Sequence, residues 1–207
     1  MIQQEALRRI EQAADEKRIE LDLSELGLQE VPSEISKCTQ LEALQLVRNK
    51  LTEFPEPVLQ LTNLRTLNLW GNQITSIPKA ITQFSNLVGF SLGYNQITSI
   101  PKDVGQLFNL RLLDLQGNKI TSIPEALGQL SNLTELFLQS NQITCMPEAL
   151  EQLSNLQWLD LSKNEITSIP EVIRQLPKLI KCEPFFNHAR QIYLERCLNR
   201  PNYMNVY

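Results

Sequence analysis

The stretch 110-LRLLDLQGNKITSIPEALGQLSN-132 is one of six consecutive copies of a 23-residue pattern that fills the middle of the chain. The pattern reads L-x-x-L-x-L-x-x-N-x-I-T-x-I-P-x-x-I-x-x-L-x-N, and its full copies run from residue 41 to residue 178. Prolines recur at the same interval, at Pro32, Pro55, Pro78, Pro101, Pro124, Pro147 and Pro170. Repetition at a fixed period of this length indicates a stack of similar structural units.

Each copy predicts one coil of this stack. Its L-x-L centre alternates apolar and polar residues, as a short strand with one buried face does. Its I-P-x-x-I-x-x-L half has an apolar residue at every third position, which indicates a short 3₁₀-like or helical return. Proline suits the first turn of that return, where no amide hydrogen is needed. Because one coil cannot bury its own apolar edge, the coils must stack, with a parallel sheet on one side and short helical segments on the other.

An asparagine follows the strand in every full copy. There the chain turns away from the strand, and the turn leaves backbone N–H and C=O groups without partners. A buried amide side chain can bond these groups on its own coil and on the neighbouring coil, and its loss would cost roughly 1–3 kcal/mol. We therefore predict a structural ladder formed by Asn49, Asn72, Asn95, Asn118, Asn141 and Asn164.

The pattern weakens at both ends of the repeat region, which we place at residues 18–187. A degraded first copy at 18–40 has Leu26 where the asparagine belongs. After residue 178 the pattern fades, although Asn187 stays in register. Open stacks need caps over their last apolar layers, so the sequences that flank the repeats are expected to supply them.

Residues 1–17 are predicted to form the N-terminal capping helix, and a partner-binding amphipathic helix is the alternative. The residues expected near its apolar face are Ile2, Ala6, Leu7, Ile10, Ala13 and Ala14. Residues 188–207 are predicted to form a C-terminal capping helix, stopped by Pro201, and a tail. The tail carries Tyr203 and Tyr207 and either docks on the stack or serves as an exposed motif.

The repeat resembles that of leucine-rich repeat proteins, specifically the 23-residue class of intracellular Ras-related proteins and bacterial Roco proteins. The N-terminal stretch 5-EALRRIEQAADEKRIELDLSELGLQEVP-32 is similar to the lead-in of cyanobacterial Roco proteins. This resemblance implies an α/β solenoid, curved, with its parallel sheet on the concave face and short 3₁₀ or helical segments on the convex face. It also implies protein binding without a specified partner, because such scaffolds bind unrelated proteins.

The sequence offers little for catalysis. No G-x-x-x-x-G-K-[ST] motif is present, so the GTPase domain of Roco proteins is not expected here. His188 is the only histidine, and the four cysteines, at 38, 145, 182 and 197, lack the close spacing of metal ligands. Cys38 lies between two coils and is expected to be a small apolar filler. We predict that the protein is not an enzyme and holds no cofactor or metal.

Charge and hydropathy limit the partners and the cellular location that are expected for the protein. A net charge of −4 disfavours nucleic acid as a partner. The sequence shows neither a stretch of eighteen apolar residues nor a signal peptide, and its cysteines are few. We therefore predict a cytoplasmic monomer that does not insert into membranes. Export into a host cell without a classical signal stays open as the alternative.

The residues between the leucines of each strand are expected on the concave face. Aligning the copies places Leu112, Phe137 and Trp158 in neighbouring coils, where they should form one exposed apolar cluster with carboxylates around it. Exposed aromatic residues on a rigid face indicate a binding surface, whereas cross-strand packing for stability is the alternative. The predicted protein-binding residues are Trp70, Tyr94, Leu112, Asp114, Glu135, Phe137, Trp158 and Asp160.

Two functions are consistent with these features. The first is a non-catalytic scaffold that binds an unidentified partner protein on its concave face, and the second is a bacterial effector that binds a host protein through its repeats. A preformed face favours binding because little entropy is lost on association.

Overall fold

Eight short strands form the sheet in the part of the chain that the computed structural model describes, residues 2–167, 171, 173 and 176–183. Each strand pairs in parallel with the strand of the next coil, so the order in the sheet is the order in the chain. The strands are β1 (Glu20–Asp22), β2 (Ala43–Gln45), β3 (Thr66–Asn68), β4 (Gly89–Ser91), β5 (Leu112–Asp114), β6 (Glu135–Phe137), β7 (Trp158–Asp160) and β8 (Lys181–Glu183).

The opposite side of each of the first six coils carries a short 3₁₀ helix, as the sequence predicted. These helices span Ser33–Lys37, Glu56–Gln60, Lys79–Gln83, Lys102–Gln106, Glu125–Gln129 and Glu148–Gln152. The repeated proline lies one position before each helix rather than inside its first turn. From that position the proline carbonyl accepts the N–H of the residue three positions later. The Ile81 N–H, for example, donates to Pro78 O at 3.1 Å. The coils therefore form the predicted curved solenoid, with the sheet on its concave face.

The core is a continuous column of leucine, isoleucine, valine and phenylalanine between the sheet and the 3₁₀ helices. In β1 to β7 the middle residue points into this column, and the two residues beside it point to the concave face. In β5, for example, Leu113 is fully buried. This alternation is the direct consequence of the two-residue period of a strand.

The turns after β1 to β7 each contain a residue in the left-handed backbone conformation, which was not predicted from the sequence. The residue directly before each ladder asparagine has a positive φ: Arg48 51°, Gly71 70°, Tyr94 52°, Gly117 63°, Ser140 57° and Lys163 55°. Two side chains at this position, Arg48 and Tyr94, contact the Trp70 ring, so the position extends the concave surface by one further column.

The ladder asparagines are buried and bond to two coils. Asn118 Nδ2 donates to Leu92 O of the preceding coil and to Leu115 O of its own coil, both at 3.0 Å. Its Oδ1 accepts the Ile97 N–H at 2.9 Å. Leu115 O also accepts a bond from Asn141 Nδ2, so consecutive asparagines share carbonyl partners and the hydrogen bonds continue from coil to coil.

A second column of asparagines, at the last position of the first five full copies, joins the coils from the exposed side. In this column Nδ2 donates to a backbone carbonyl 24 residues earlier, as from Asn109 to Ser85 O at 2.8 Å. The same bond recurs at Asn63, Asn86, Asn132 and Asn155. The 23-residue periodicity contained this column, but no structural role was predicted for it.

An N-terminal helix, α1 (Ile2–Asp15), covers the first coil. Its Ala6, Ile10 and Ala13 are buried, and the helix contacts β1 and the 3₁₀ helix Ser33–Lys37. Ile2, predicted near the apolar face, is 50% exposed.

Polar contacts also hold α1 on the first coil. Arg9 donates to Asp22 O at 3.1 Å, and the Cys38 thiol donates to Ile10 O at 3.5 Å. Cys38 is the predicted small filler, and burial raises the pKa of its thiol, so it keeps the proton it donates. On the exposed side of α1, hydrogen bonds from Arg8 and Arg9 lower the pKa of Glu5 to about 2.

The predicted C-terminal helix and tail, at 188–207, lie outside the described residues. Among the helices that are described, none is long and apolar enough to cross a membrane.

Close approach of neighbouring 3₁₀ helices makes Gly128 sensitive to substitution. A Cβ atom on Gly128 would overlap the backbone oxygen of Ala149 in the next coil, whereas one on Gly89 would be 3.7 Å from the Thr66 methyl group. We expect Gly128→Ala to lower the free energy of unfolding by about 2 kcal/mol, because overpacking against backbone cannot relax by side-chain rotation. Gly89→Ala is the matched control and should leave urea unfolding nearly unchanged. Equal effects of the two substitutions would contradict this close packing.

Candidate protein-binding surface on the concave sheet

The outward residues of the strands form two columns across the concave sheet, in the register that the sequence predicted. The first column contains Glu20, Ala43, Thr66, Gly89, Leu112, Glu135 and Trp158, and the second contains Asp22, Gln45, Asn68, Ser91, Asp114, Phe137 and Asp160. Members of one column are directly opposite each other on adjacent strands, which lie about 4.8 Å apart. Side chains in neighbouring columns therefore meet across the sheet.

Phe137 and Trp158 form an aromatic pair at the C-terminal end of this surface. Their ring centroids are 5.3 Å apart, and their planes meet at 71° in an edge-to-face arrangement. Trp158 is 37% exposed, and Phe137 is half-buried. The predicted contact between these two residues is thus formed, and it leaves a large aromatic surface open to solvent.

Leu112 is diagonal to Phe137, on the strand before it in the sheet. It lies opposite Glu135, and Glu135 in turn lies opposite Trp158. Leu112 and Trp158 are therefore two strands apart, about 9–10 Å, with a carboxylate position between them. Of the predicted apolar cluster, Phe137 and Trp158 are in ring contact, and of their two strands only that of Phe137 is adjacent to the strand of Leu112.

A second aromatic pair, Trp70 and Tyr94, lies nearer the N-terminus, with ring centroids 4.9 Å apart and planes at 54°. The Arg48 guanidinium lies 5.4 Å from the centre of the Trp70 ring, and it also bonds Glu25 Oε1 at 3.1 Å. This pair therefore already contains a cation from its own chain, held between a ring and a carboxylate.

Glycines let these two rings lie close to the sheet. A Cβ atom on Gly93 would be 2.8 Å from Trp70 Cδ1, and one on Gly117 would be 3.0 Å from Tyr94 Cδ1. Trp70 is half-buried as a result, whereas Tyr94 stays 50% exposed. Packing on the sheet thus accounts for much of the placement of Trp70.

Asp114 is buried, contrary to the prediction of an exposed acid. Only 8% of its surface is accessible, because Ser91 Oγ and Gln116 Nε2 both donate to its Oδ2, at 2.9 and 3.2 Å. Its Oδ1 accepts the Gln116 N–H. A carboxylate bonded in this way is an internal acceptor, so Asp114 is not the exposed acid that the sequence predicted beside the cluster.

Asp160 and Glu135 are the acids that stay near the C-terminal aromatic pair. Asp160 Oδ1 accepts the Ser162 N–H at 2.9 Å, a local turn bond that Asp22 and Asn68 also make in their coils. Within the described part of the chain, neither Asp160 nor Glu135 forms an ion pair. Both side chains are half-buried, so their carboxylates border the aromatic surface.

Two features of this surface were not predicted from the sequence. Gln139 Nε2 donates to Gln116 Oε1 at 2.9 Å, which extends the hydrogen bonds of Asp114 across three coils. Gln139 Oε1 is buried without a partner among the described residues. The second feature is the ion pair between Glu25 and Arg48. Both residues occupy the left-handed turn position of their coils, one repeat apart. Their opposite charges at a spacing of 23 residues could have predicted this pair.

Nothing in the described part of the chain is arranged for metal chemistry. No group of three or more His, Cys, Asp and Glu side chains is placed there to hold a metal ion. The concave surface presents aromatic rings, amides and carboxylates.

Comparison with known proteins agrees with this architecture. The leucine-rich repeat profile matches residues 62–120 and 85–143, and a second leucine-rich repeat profile matches 155–176. None of the curated proteins matches the sequence.

Solved structures similar to the chain include repeat proteins from bacteria. A leucine-rich repeat protein of Leptospira interrogans is 38% identical over 77% of this chain and 46% of its own, with a TM-score of 0.61. The internalin inlF of Listeria monocytogenes is 32% identical over 76% of this chain and 45% of its own, with a TM-score of 0.68. The chain thus spans less than half the length of either protein.

Internalin C2 of the same Listeria species matches in fold, at 22% identity over 86% of this chain and 92% of its own, with a TM-score of 0.69. Sequence profile, strand order and overall shape therefore point to one family. The chain belongs to the leucine-rich repeat proteins.

Proposed function

We propose that the protein is a non-catalytic scaffold that binds a partner protein on its concave sheet. The observation that carries this proposal is the C-terminal aromatic pair, in which an exposed tryptophan contacts a half-buried phenylalanine on a rigid surface. Exposed aromatic residues of this kind supply much of the affinity of protein interfaces. The stacked coils hold them in place before binding, so that little conformational entropy is lost.

The absence of catalysis is part of the same proposal and rests on the sequence. A single histidine and the lack of a phosphate-binding motif leave few groups for acid–base or phosphoryl-transfer chemistry. We further infer a cytoplasmic monomer of the 23-residue intracellular class. The constant repeat length and the sparse cysteines support this inference.

Export into a host cell is the second candidate. The similar repeat proteins described above come from Listeria and Leptospira, and the concave surface would then bind a host protein. The two candidates differ in location, so immunodetection in cell and culture-medium fractions separates them. Protein confined to the cell fraction during infection would exclude the exported form.

The binding test compares three forms of the protein at matched thermal stability. The Phe137→Ala/Trp158→Ala double variant should retain at least tenfold less of the specific partner in affinity capture from lysate, because the aromatic anchors are removed. The control, Lys79→Ala/Glu148→Ala, changes two exposed residues of the 3₁₀ side and should capture as much as the wild type. Captured proteins are measured by quantitative mass spectrometry.

Two outcomes would count against the proposal. Unchanged capture by the Phe137/Trp158 variant would move the binding site away from this surface, for instance to the tail around Tyr203. A large drop in melting temperature of the same variant would show instead that the pair serves sheet packing.

A further inference from the structure

We propose that one rim of the concave sheet, where strands β3, β4 and β5 begin, binds an acidic segment of a partner protein. We call this surface the arginine rim, and it consists of Arg65, Val88, Phe108 and Arg111. It lies beside the concave surface and does not include the C-terminal aromatic pair. The inference therefore goes beyond the proposed function and can fail independently of it.

Hydrogen bonds hold the segments of the arginine rim side by side. The Val88 N–H donates to Arg65 O, and the Arg111 N–H donates to Val88 O, both at 2.8 Å. The Asn109 side chain adds a bond to Ser85 O, also at 2.8 Å. Val88 thus lies between the two arginines, whose backbones are two coils apart, about 9–10 Å.

Both arginines are exposed, and neither forms an ion pair with any residue that the structure describes. Two acids lie close to them in sequence or register. The Glu42 carbonyl accepts the Arg65 N–H, although the Glu42 carboxylate is not paired with Arg65, and Asp114 is buried and bonded internally. Arg65 and Arg111 can therefore bind carboxylates of a partner, each through two parallel N–H donors.

The part of the chain around the arginine rim is basic, although the whole chain has a net charge of −4. No Asp or Glu occurs between Glu56 and Asp103, a stretch that contains Arg65, Lys79 and Lys102. Charges within about 10 Å of each other are only partly screened at moderate salt. This local excess of positive charge is complementary to an acidic segment.

Phe108 adds an exposed apolar side chain to these charges. It is 56% exposed, the largest fraction of any aromatic side chain in the part of the chain that the structure describes. The same position of the two adjacent coils has Ser85 and Ser131, which are both small. Exposed aromatic residues often anchor protein interfaces. An acidic segment that also carries an apolar side chain therefore matches the rim, whereas the net charge of the chain disfavours nucleic acid.

The test follows the arginine side chains of the full chain by NMR. The Nε–H signals of the ¹⁵N-labelled protein are assigned with Arg65→Gln and with Arg111→Gln. The probe is the peptide acetyl-Asp-Glu-Leu-Asp-Glu-amide, and both signals should shift saturably on its addition. The peptide acetyl-Asn-Gln-Leu-Asn-Gln-amide has the same size but no carboxylate, and it should shift them about tenfold less. The Arg48 signal is the internal reference, because its guanidinium is already bonded to Glu25.

Two double variants separate a local site from the overall charge. Arg65→Gln/Arg111→Gln should weaken binding of the acidic peptide about tenfold at low salt, as expected for the loss of two exposed ion pairs. Lys79→Gln/Lys102→Gln removes the same charge from exposed positions on the 3₁₀ side and should change the affinity by less than about twofold. Phe108→Ser introduces the residue of the adjacent coils and should weaken binding about fivefold without a change in melting temperature.

Three results would overturn the proposal: equal shifts with the neutral peptide, equal losses of affinity in the two double variants, or a stronger response to oligothymidylate than to the acidic peptide. The Phe137→Ala/Trp158→Ala variant should still bind the acidic peptide as the wild type does, because its changes lie on β6 and β7. Loss of peptide binding in that variant would place the peptide on the concave surface, which also overturns the proposal and leaves the proposed function standing.

Discussion

The Ile10→Asp variant is expected to detach α1 and expose the first coil. Ile10 has no accessible surface, and its carbonyl accepts the Cys38 thiol hydrogen. A carboxylate at this position would be buried without a cation, and the apolar contacts of the isoleucine would be lost as well. We expect a loss of about 3–5 kcal/mol for the docking of α1.

Hydrogen exchange measures this effect where it occurs. In a stack of repeats each coil contacts only its neighbours, so residues 2–63 should lose protection before the central coils do. The control is Gln4→Asp, which introduces the same charge on the exposed face of α1. Equal exchange in the two variants would show that α1 is not a cap and would favour its role as a partner-binding arm.

The Asn118→Ala variant is expected to cost about 2–3 kcal/mol, because it leaves one buried donor without any acceptor. That donor is the Ile97 N–H, which bonds Asn118 Oδ1 and no other acceptor among the described residues. The carbonyls of Leu92 and Leu115 would still be hydrogen-bonded in this variant, since each keeps a bond from a neighbouring ladder asparagine. The expected loss is therefore smaller than a count of all the bonds of Asn118 would indicate.

Urea unfolding of Asn118→Ala and of Lys119→Ala measures this cost. Lys119 is the adjacent residue in the same turn, and it is exposed. Gln116 is a poorer control, since it bonds both Asp114 and Gln139. Similar midpoints for the two variants would be incompatible with a stabilising ladder.

The concave face has two unlike aromatic pairs. The N-terminal pair is packed over glycines and holds Arg48, so its contacts mainly stabilise the fold of the chain. The C-terminal pair borders two carboxylates and contains an exposed tryptophan ring. This asymmetry directs mutagenesis toward β6 and β7, and it makes Trp70 a useful internal reference for any measurement on Trp158.

Much of the fold was determined by the sequence alone. A leucine spacing repeated every 23 residues specifies which side chains face inward, and the prolines and asparagines mark the turns. Because each coil packs only on its neighbours, the same local rules apply along the whole stack. The strand register, the 3₁₀ helices and the contact of Phe137 with Trp158 therefore followed from the alignment of the copies.

What only the tertiary structure decided is how far each side chain on the concave face is exposed. Asp114 occupies the same column as Phe137 and Asp160, yet it is buried because Ser91 of the preceding coil and Gln116 of its own coil bond to it. Trp70 lies close to the sheet because the next coil has a glycine, Gly93, next to the Trp70 ring. Exposure depends on the sizes and hydrogen bonds of neighbours in adjacent coils, and a column in an alignment records residue types without these contacts. The positions of the rings and acids were thus predictable, whereas their availability to a partner was set by packing between coils.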